Sequence, residues 1–224
     1  MTGWKRAVGL TAMLVAVACL SFAAEEGAAG RRGGGAMSPE RQKAVQAATA
    51  LVDKYVAKEA GLTGEKADAF VKAMAAQRES STKKMAEARA SGGADFRALM
   101  EERTKGIEGV VDANMSGDAA KKAKELLGLM LDNSVAALIE AKVEAAKIDQ
   151  AMPVLVKYGK AAAALMVKMR EGGSAEDMTA KRQELRSSTA KELAPIVGEA
   201  GAAAFQAARG GMMGMGGRGG KKKE

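Results

Sequence analysis

The sequence contains no histidine, one cysteine and only 3% aromatic residues. Each shortage closes off some chemistry. Without histidine, the commonest general base and the commonest transition-metal ligand are missing. The one cysteine, Cys19, lies in the N-terminal apolar stretch. A chain trimmed beyond it has no thiol nucleophile and forms no disulfide, even after export. Carboxylates are abundant but fall in no recognisable catalytic spacing, and nearly all fit solvated helix faces. The expectation is therefore a protein that is not an enzyme, with no cofactor and no metal site. Few aromatics, and no sustained alternating run of β-branched residues, argue against sheet.

What is present favours helix. Apolar residues make up 47% of the chain and are mostly Ala, Val, Leu and Met. Ala, Leu and Met are strong helix formers, as are Glu, Lys, Arg and Gln. The predicted fold is all-α: an elongated bundle or hooked arrangement of about five to six helices with disordered Gly-rich ends. Alanine buries little area, and burial yields roughly 25 cal/mol per Å². The core should be thin, and formation of a homodimer would help cover the apolar stripes.

The N-terminal stretch "MTGWKRAVGLTAMLVAVACLSFAAEE" has a basic start, an apolar run from Ala7 to Phe22, then small and acidic residues. This is the pattern of a secretory signal peptide, with Ser21 and Ala23 as the small residues before cleavage after Ala23. The run falls short of the roughly 20 residues that span a bilayer. "VAVAC" is similar to a lipoprotein box, which would lipidate Cys19, but Leu20 and Phe22 continue the apolar run past it. The expected location is periplasmic or secreted, in a bacterium.

Charge and composition divide the rest. The net charge is +8. Lys5 and Arg6 supply two of these charges, and residues 210–224 a net three, which leaves +3 for residues 38–209. The basic character sits at the ends and does not point to a nucleic-acid-binding fold. The expected domains are a signal peptide (1–23), a Gly-rich flexible linker (24–37), a helical domain (38–209) and a disordered Gly/Met/Lys tail (210–224). Within the tail, "GMGGRG" matches a dinucleotide fingerprint only literally, because no helix can follow it. Met212, Met213 and Met215 are soft thioethers of the kind that hold Cu(I), but low-complexity drift is by far the better account of them. The basic tail could dock on an anionic membrane surface. "NMS" at 114–116 reads as a helix junction rather than a glycosylation site.

Helix punctuation is clear in places. Ser38 and Pro39 suit an N-cap and first turn, and Gly61 suits a left-handed C-terminal stop. The second helix is predicted from Thr63 to about Ala90, its apolar face interrupted by Gln77 and Ser81. The third spans about 94–114 on a stripe of Phe96, Leu99, Met100, Ile107, Val110 and Val111. A fourth is predicted to start at Ser116 and run through Leu127, Leu131, Val135, Leu138, Val143 and Ala146. Pro153 should kink or split it before about Arg170. Ser174 and Asp177 form a capping box before helices at about 174–195 and 199–208.

Three segments share one pattern: "LTGEKADAF" (62–70), "MSGDAAKKA" (115–123) and "VGEAGAAAF" (197–205). Each places an apolar residue before a candidate N-cap: Leu62 before Thr63, Met115 before Ser116, Val197 before Gly198. Each has an acid in the first turn (Glu65, Asp118, Glu199), where it favours the positive end of the helix dipole. Ala67, Ala120 and Ala202 follow at the hydrophobic-staple position. Two of the segments end on phenylalanine, Phe70 and Phe205. Ordinary capping in an Ala-rich chain accounts for much of this. The pattern also resembles the Spy/CpxP group of periplasmic proteins, which includes heavy-metal-binding relatives and whose signature is a twice-occurring Leu-Thr-x-x-Gln. Leu62 and Thr63 match it, but Lys66 and Gly201 stand where glutamine belongs.

The resemblance implies a concave helical scaffold, often dimeric. Such a scaffold binds unfolded clients without ATP, or tunes an envelope stress sensor. The functional expectation is thus an exported helical chaperone or adaptor whose partners are proteins and not nucleic acid. Two alternatives are a metal-responsive binding protein of the same group and a structural envelope protein with a basic docking tail. The chain has 15 methionines. Those placed on helix faces, Met74, Met85, Met100, Met130 and Met166, are either core filler or the adaptable lining of a promiscuous surface.

Overall fold

Capping residues set the first helix. In the computed structural model, residues 38–91, 95–171 and 174–208 are described, all within one compact unit, Met37–Glu224. The leader, the Gly-rich linker and the tail lie outside the described residues. Helix α1 (Pro39–Glu59) starts with Ser38 Oγ accepting from the Arg41 N–H at 3.2 Å. It ends at Gly61, whose φ is +81°. There the Gly61 N–H donates to Lys58 O and the Leu62 N–H to Ala57 O. This Schellman closure satisfies the last carbonyls and needs a left-handed residue, which glycine supplies without strain.

The described residues form seven helices and no strand. Helices α2 (Gly64–Ala90) and α3 (Phe96–Asn114) make an antiparallel hairpin. Asp95 caps α3, its carboxylate accepting from the Arg97 and Ala98 N–H groups.

The long helix predicted from Ser116 is instead three: α4 (Gly117–Gly128), α5 (Asp132–Glu140) and α6 (Ala145–Arg170). The chain turns at Met130 (φ 52°) and Lys142 (φ 59°), both left-handed. The turns have a packing cause. They let Leu126, Leu131, Val135, Leu138 and Ile148 all enter one core, whereas a straight helix of that length would carry most of them past it. No glycine or proline marks the turning residues, so the apolar periodicity reads straight through.

The predicted split at Pro153 does not occur. Helix α6 runs through it, with Pro153 exposed and Met152 and Leu155 buried on either side. A proline on the outer face loses one hydrogen bond where water can replace it. Helix α7 (Ala175–Ala207) opens on Ser174, whose Oγ accepts from the Asp177 N–H at 3.4 Å. It is interrupted at Gly198 (φ 78°, ψ 166°), between the two helical stretches that were predicted.

Helix α1 sits at the centre, packing on α2, α4, α5 and α6. Its inward face is largely small: Ala44, Ala48, Val52, Val56 and Ala57. Small residues let α5 approach closely, and α5 answers with Val135, Ala136 and Leu138. The bulk comes from a few large side chains, above all Phe70, Phe205, Met74, Met152, Leu155 and Leu193. Two hairpins leave this core. The core residues of α2 end at Met74 and those of α3 begin near Ile107, so the outer half of α2–α3 lies beyond it. The α6–α7 hairpin behaves likewise beyond Tyr158 and Ala190.

Candidate functional site

The residues singled out by the helix-start pattern are drawn into the fold. Phe70, Met115, Val197 and Phe205 belong to one core cluster, and Leu62 packs against it. Phe205 meets Tyr158 edge to face, with ring centroids 5.1 Å apart and planes at 81°. The polar members do not cap. Thr63 is exposed, and Ser116 makes no side-chain cap hydrogen bond. The conformation is instead set by left-handed glycines: Gly64 (φ 55°), Gly117 (φ 58°) and Gly198 (φ 78°). Each is followed directly by the first-turn acid. The common element is therefore a left-handed Gly-acid step. At the third copy Val197 lies over Gly201, one residue before the staple position Ala202: a Cβ on Gly201 would lie 2.9 Å from Val197 Cγ2 and 2.8 Å from Val143 Cγ2. Glycine at 201 is what allows Val197 to fold back onto the first turn.

The most unusual electrostatics lie where α1, α2 and α5 meet. Arg78 on α2 donates from Nη2 to Asp53 Oδ1 on α1 at 2.7 Å and from Nη1 to Asp132 Oδ2 on α5 at 3.4 Å. Asp53 is only 1% exposed. Burial pushes its carboxyl up to about 7; Arg78 pulls the other way, and the nearby Asp132 adds to the rise. Arg78 Nε and Asp132 Oδ1 are also buried, with no hydrogen-bond partner. One guanidinium thus serves two carboxylates. The sequence reading missed this cluster, because its members lie 25 and 54 residues apart and belong to three helices.

The outer α2–α3 hairpin is polar. A groove of about 360 Å³ runs between the helices, lined by Gln77, Ser80, Ser81, Lys84, Leu99, Glu102, Arg103, Lys105 and Gly106. Gln77 and Ser81, the residues that break the apolar face of α2, hydrogen-bond to each other here. Lys84 pairs with Glu102 across the hairpin. The outer α6–α7 hairpin is different. The run "AAAALMV" (161–167) carries no charge. Val167 is 53% exposed, and Leu165, Met166 and Met169 are half-buried.

Of the five methionines noted on helix faces, only Met74 is core. Met85 and Met166 are half-buried, Met100 is 37% exposed and Met130 is 63% exposed. Among the described residues, no three acidic, His or Cys side chains gather as a metal site. Met212, Met213 and Met215 lie outside them. No described helix is long and apolar enough to cross a membrane. Comparison with protein-family models, with curated proteins and with solved structures gave no match.

Proposed function

We propose that this is an exported, non-catalytic helical protein that holds other polypeptides, either unfolded clients or a sensor domain, on its outer α6–α7 hairpin. The carrying observation is the charge-free run at 161–167 with Leu165, Met166 and Val167 outside the core. Unbranched thioethers and small residues re-pack against varied apolar surfaces, which suits partners of no fixed shape. Exposed Met100 and Met130 extend that character elsewhere on the surface. The N-terminal signal pattern supports export, and the resemblance to the Spy/CpxP group agrees with ATP-independent client binding.

The test is light scattering of a chemically denatured client diluted into buffer with an equimolar amount of the purified exported protein. Slower aggregation is expected, and Met166→Ser combined with Val167→Ser should remove most of the effect while leaving the helical circular-dichroism signal unchanged. No slowing by the unmutated protein overturns the reading. Full activity in the double variant moves the binding surface away from this hairpin.

A further inference from the structure

The geometry points to a proton-controlled clamp: Arg78 ties α2 to Asp53 on α1 and Asp132 on α5, and a proton taken up at the buried Asp53 governs how firmly the outer α2–α3 hairpin is held to them. The stoichiometry is the first argument. A single guanidinium balances a single carboxylate, so with both acids ionised the site carries one uncompensated negative charge in a buried place. A proton taken from solvent onto Asp53, the more deeply buried acid, makes the site neutral. The cluster is also incompletely satisfied as it stands, since Asp132 Oδ1 and Arg78 Nε are buried without a partner.

Position is the second argument. On α2, Phe70 and Met74 anchor the inner half, and beyond Arg78 only Ser81 is buried among the described side chains. Arg78 is thus the outermost strong tie between α2 and the rest of the molecule. Arg78 and Asp132 are the charged groups that act on Asp53, and among the described residues no other charge acts on it. On the same three helices, Lys54 and Glu79 are exposed, and Arg41 pairs with Glu140. The raised proton affinity of Asp53 agrees with this arrangement. The direction follows: the clamp is closed when Asp53 holds its proton and slackens as pH rises past neutrality.

Hydrogen exchange on the full chain tests this, with rates expressed as protection relative to the intrinsic rate at each pH. Between about pH 6 and about pH 8, residues 79–105 should lose roughly tenfold protection if the opened site binds its proton like a free carboxylate. The outer α6 segment 161–171, which can open without disturbing Asp53, should not change. Asp53→Asn, which leaves Arg78 one carboxylate and one neutral acceptor, should abolish the pH effect. Asp53→Ser, which also removes the carboxylate, serves the same purpose if the first variant does not fold. Equal protection of 79–105 at both pH values in the unmutated chain overturns the clamp. So does a pH-dependent loss that persists in a folded variant without the Asp53 carboxylate.

Discussion

The two hairpins start from equivalent foundations and differ in one face: α6 carries an uncharged apolar run that the α2–α3 hairpin lacks. Each is rooted by a phenylalanine in the shared core: Phe70 at the base of α2, Phe205 near the end of α7. Beyond that root, α2–α3 is held by amides, hydroxyls and ion pairs around Gln77, Ser81, Lys84 and Glu102. On its α6 side the α6–α7 hairpin continues in alanine, leucine and methionine with part of that apolar surface uncovered, while the facing α7 stretch carries Lys181, Arg182, Glu184 and Arg186. A polar seam is directional and can be opened by water or a proton. An apolar seam is adaptable and tolerates exchange of partner. The same two-helix architecture therefore suits a conditional joint on one side and a binding surface on the other.

The largest effect should come from the shared foundation. Phe70→Ala and Phe205→Ala remove side chains that are 0% and 1% exposed. Each should cost about 3–5 kcal/mol, transfer and cavity terms together. Urea denaturation would measure it. A much smaller loss for one of the two would show that its hairpin is rooted elsewhere.

Next comes the buried carboxylate to which α2 is tied by Arg78. The carboxyl of Asp53 is raised from 3.8 to about 7. The folded state therefore holds a proton that the unfolded state has already released. The associated stability is fully present below the unfolded value and is lost as pH rises through the folded one. Thermal or urea unfolding should show the protein losing on the order of 2 kcal/mol between about pH 5 and about pH 8. Asp53→Asn should flatten that slope and be the more stable protein at the upper end. A slope unchanged by the substitution would place the titrating group outside the α2–α3 anchorage.

The two hairpins also differ in how their glycines are used. At Gly201 a methyl group would meet branched side chains, Val143 and Val197, at 2.8 and 2.9 Å. Gly201→Ala should cost about 1–3 kcal/mol by overpacking. At Gly106 the obstacle is the end of the Gln77 side chain, whose Nε2 lies 1.8 Å from the Cβ position. Gln77 can swing toward solvent, and alanine gains about 1 kcal/mol of helix propensity over glycine. Gly106→Ala should therefore be close to neutral. Equal penalties at the two sites would erase the distinction between a soft seam and a packed one.

How much of this was legible in the sequence depended on whether the cause was local. Ser38, Pro39, Gly61 and Ser174 act within one turn, and each does what its residue type suggests. Thr63 and Ser116 are equally good capping types, yet the structure uses the glycine that follows each, because a left-handed step already redirects the chain. Lys142 was invisible for the opposite reason. It closes α5 with the same bond pattern as Gly61: the Lys142 N–H donates to Ile139 O and the Val143 N–H to Leu138 O. Burial of Val143 and Leu138 enforces a conformation that lysine does not favour. Lys142→Gly should stabilise the protein by about 1 kcal/mol, visible as a raised melting temperature. The Asp53–Arg78–Asp132 cluster was beyond reach altogether. Each residue, taken alone, looks like an ordinary charge on an amphipathic helix.

The smallest expected effect is the one most visible on the surface. Lys84 and Glu102 pair across the outer α2–α3 hairpin with both side chains more than half exposed. Such a pair is worth less than about 1 kcal/mol, and salt weakens it further. A double-mutant cycle with Lys84→Ala and Glu102→Ala should give a small coupling at low salt that vanishes at high salt. The value of the cycle lies in what a larger number would mean. If the coupling is strong and salt-resistant, the outer hairpin is held by its own cross-link and not by Arg78 at its base. The pH-dependent loosening should then stop short of residues 84–102.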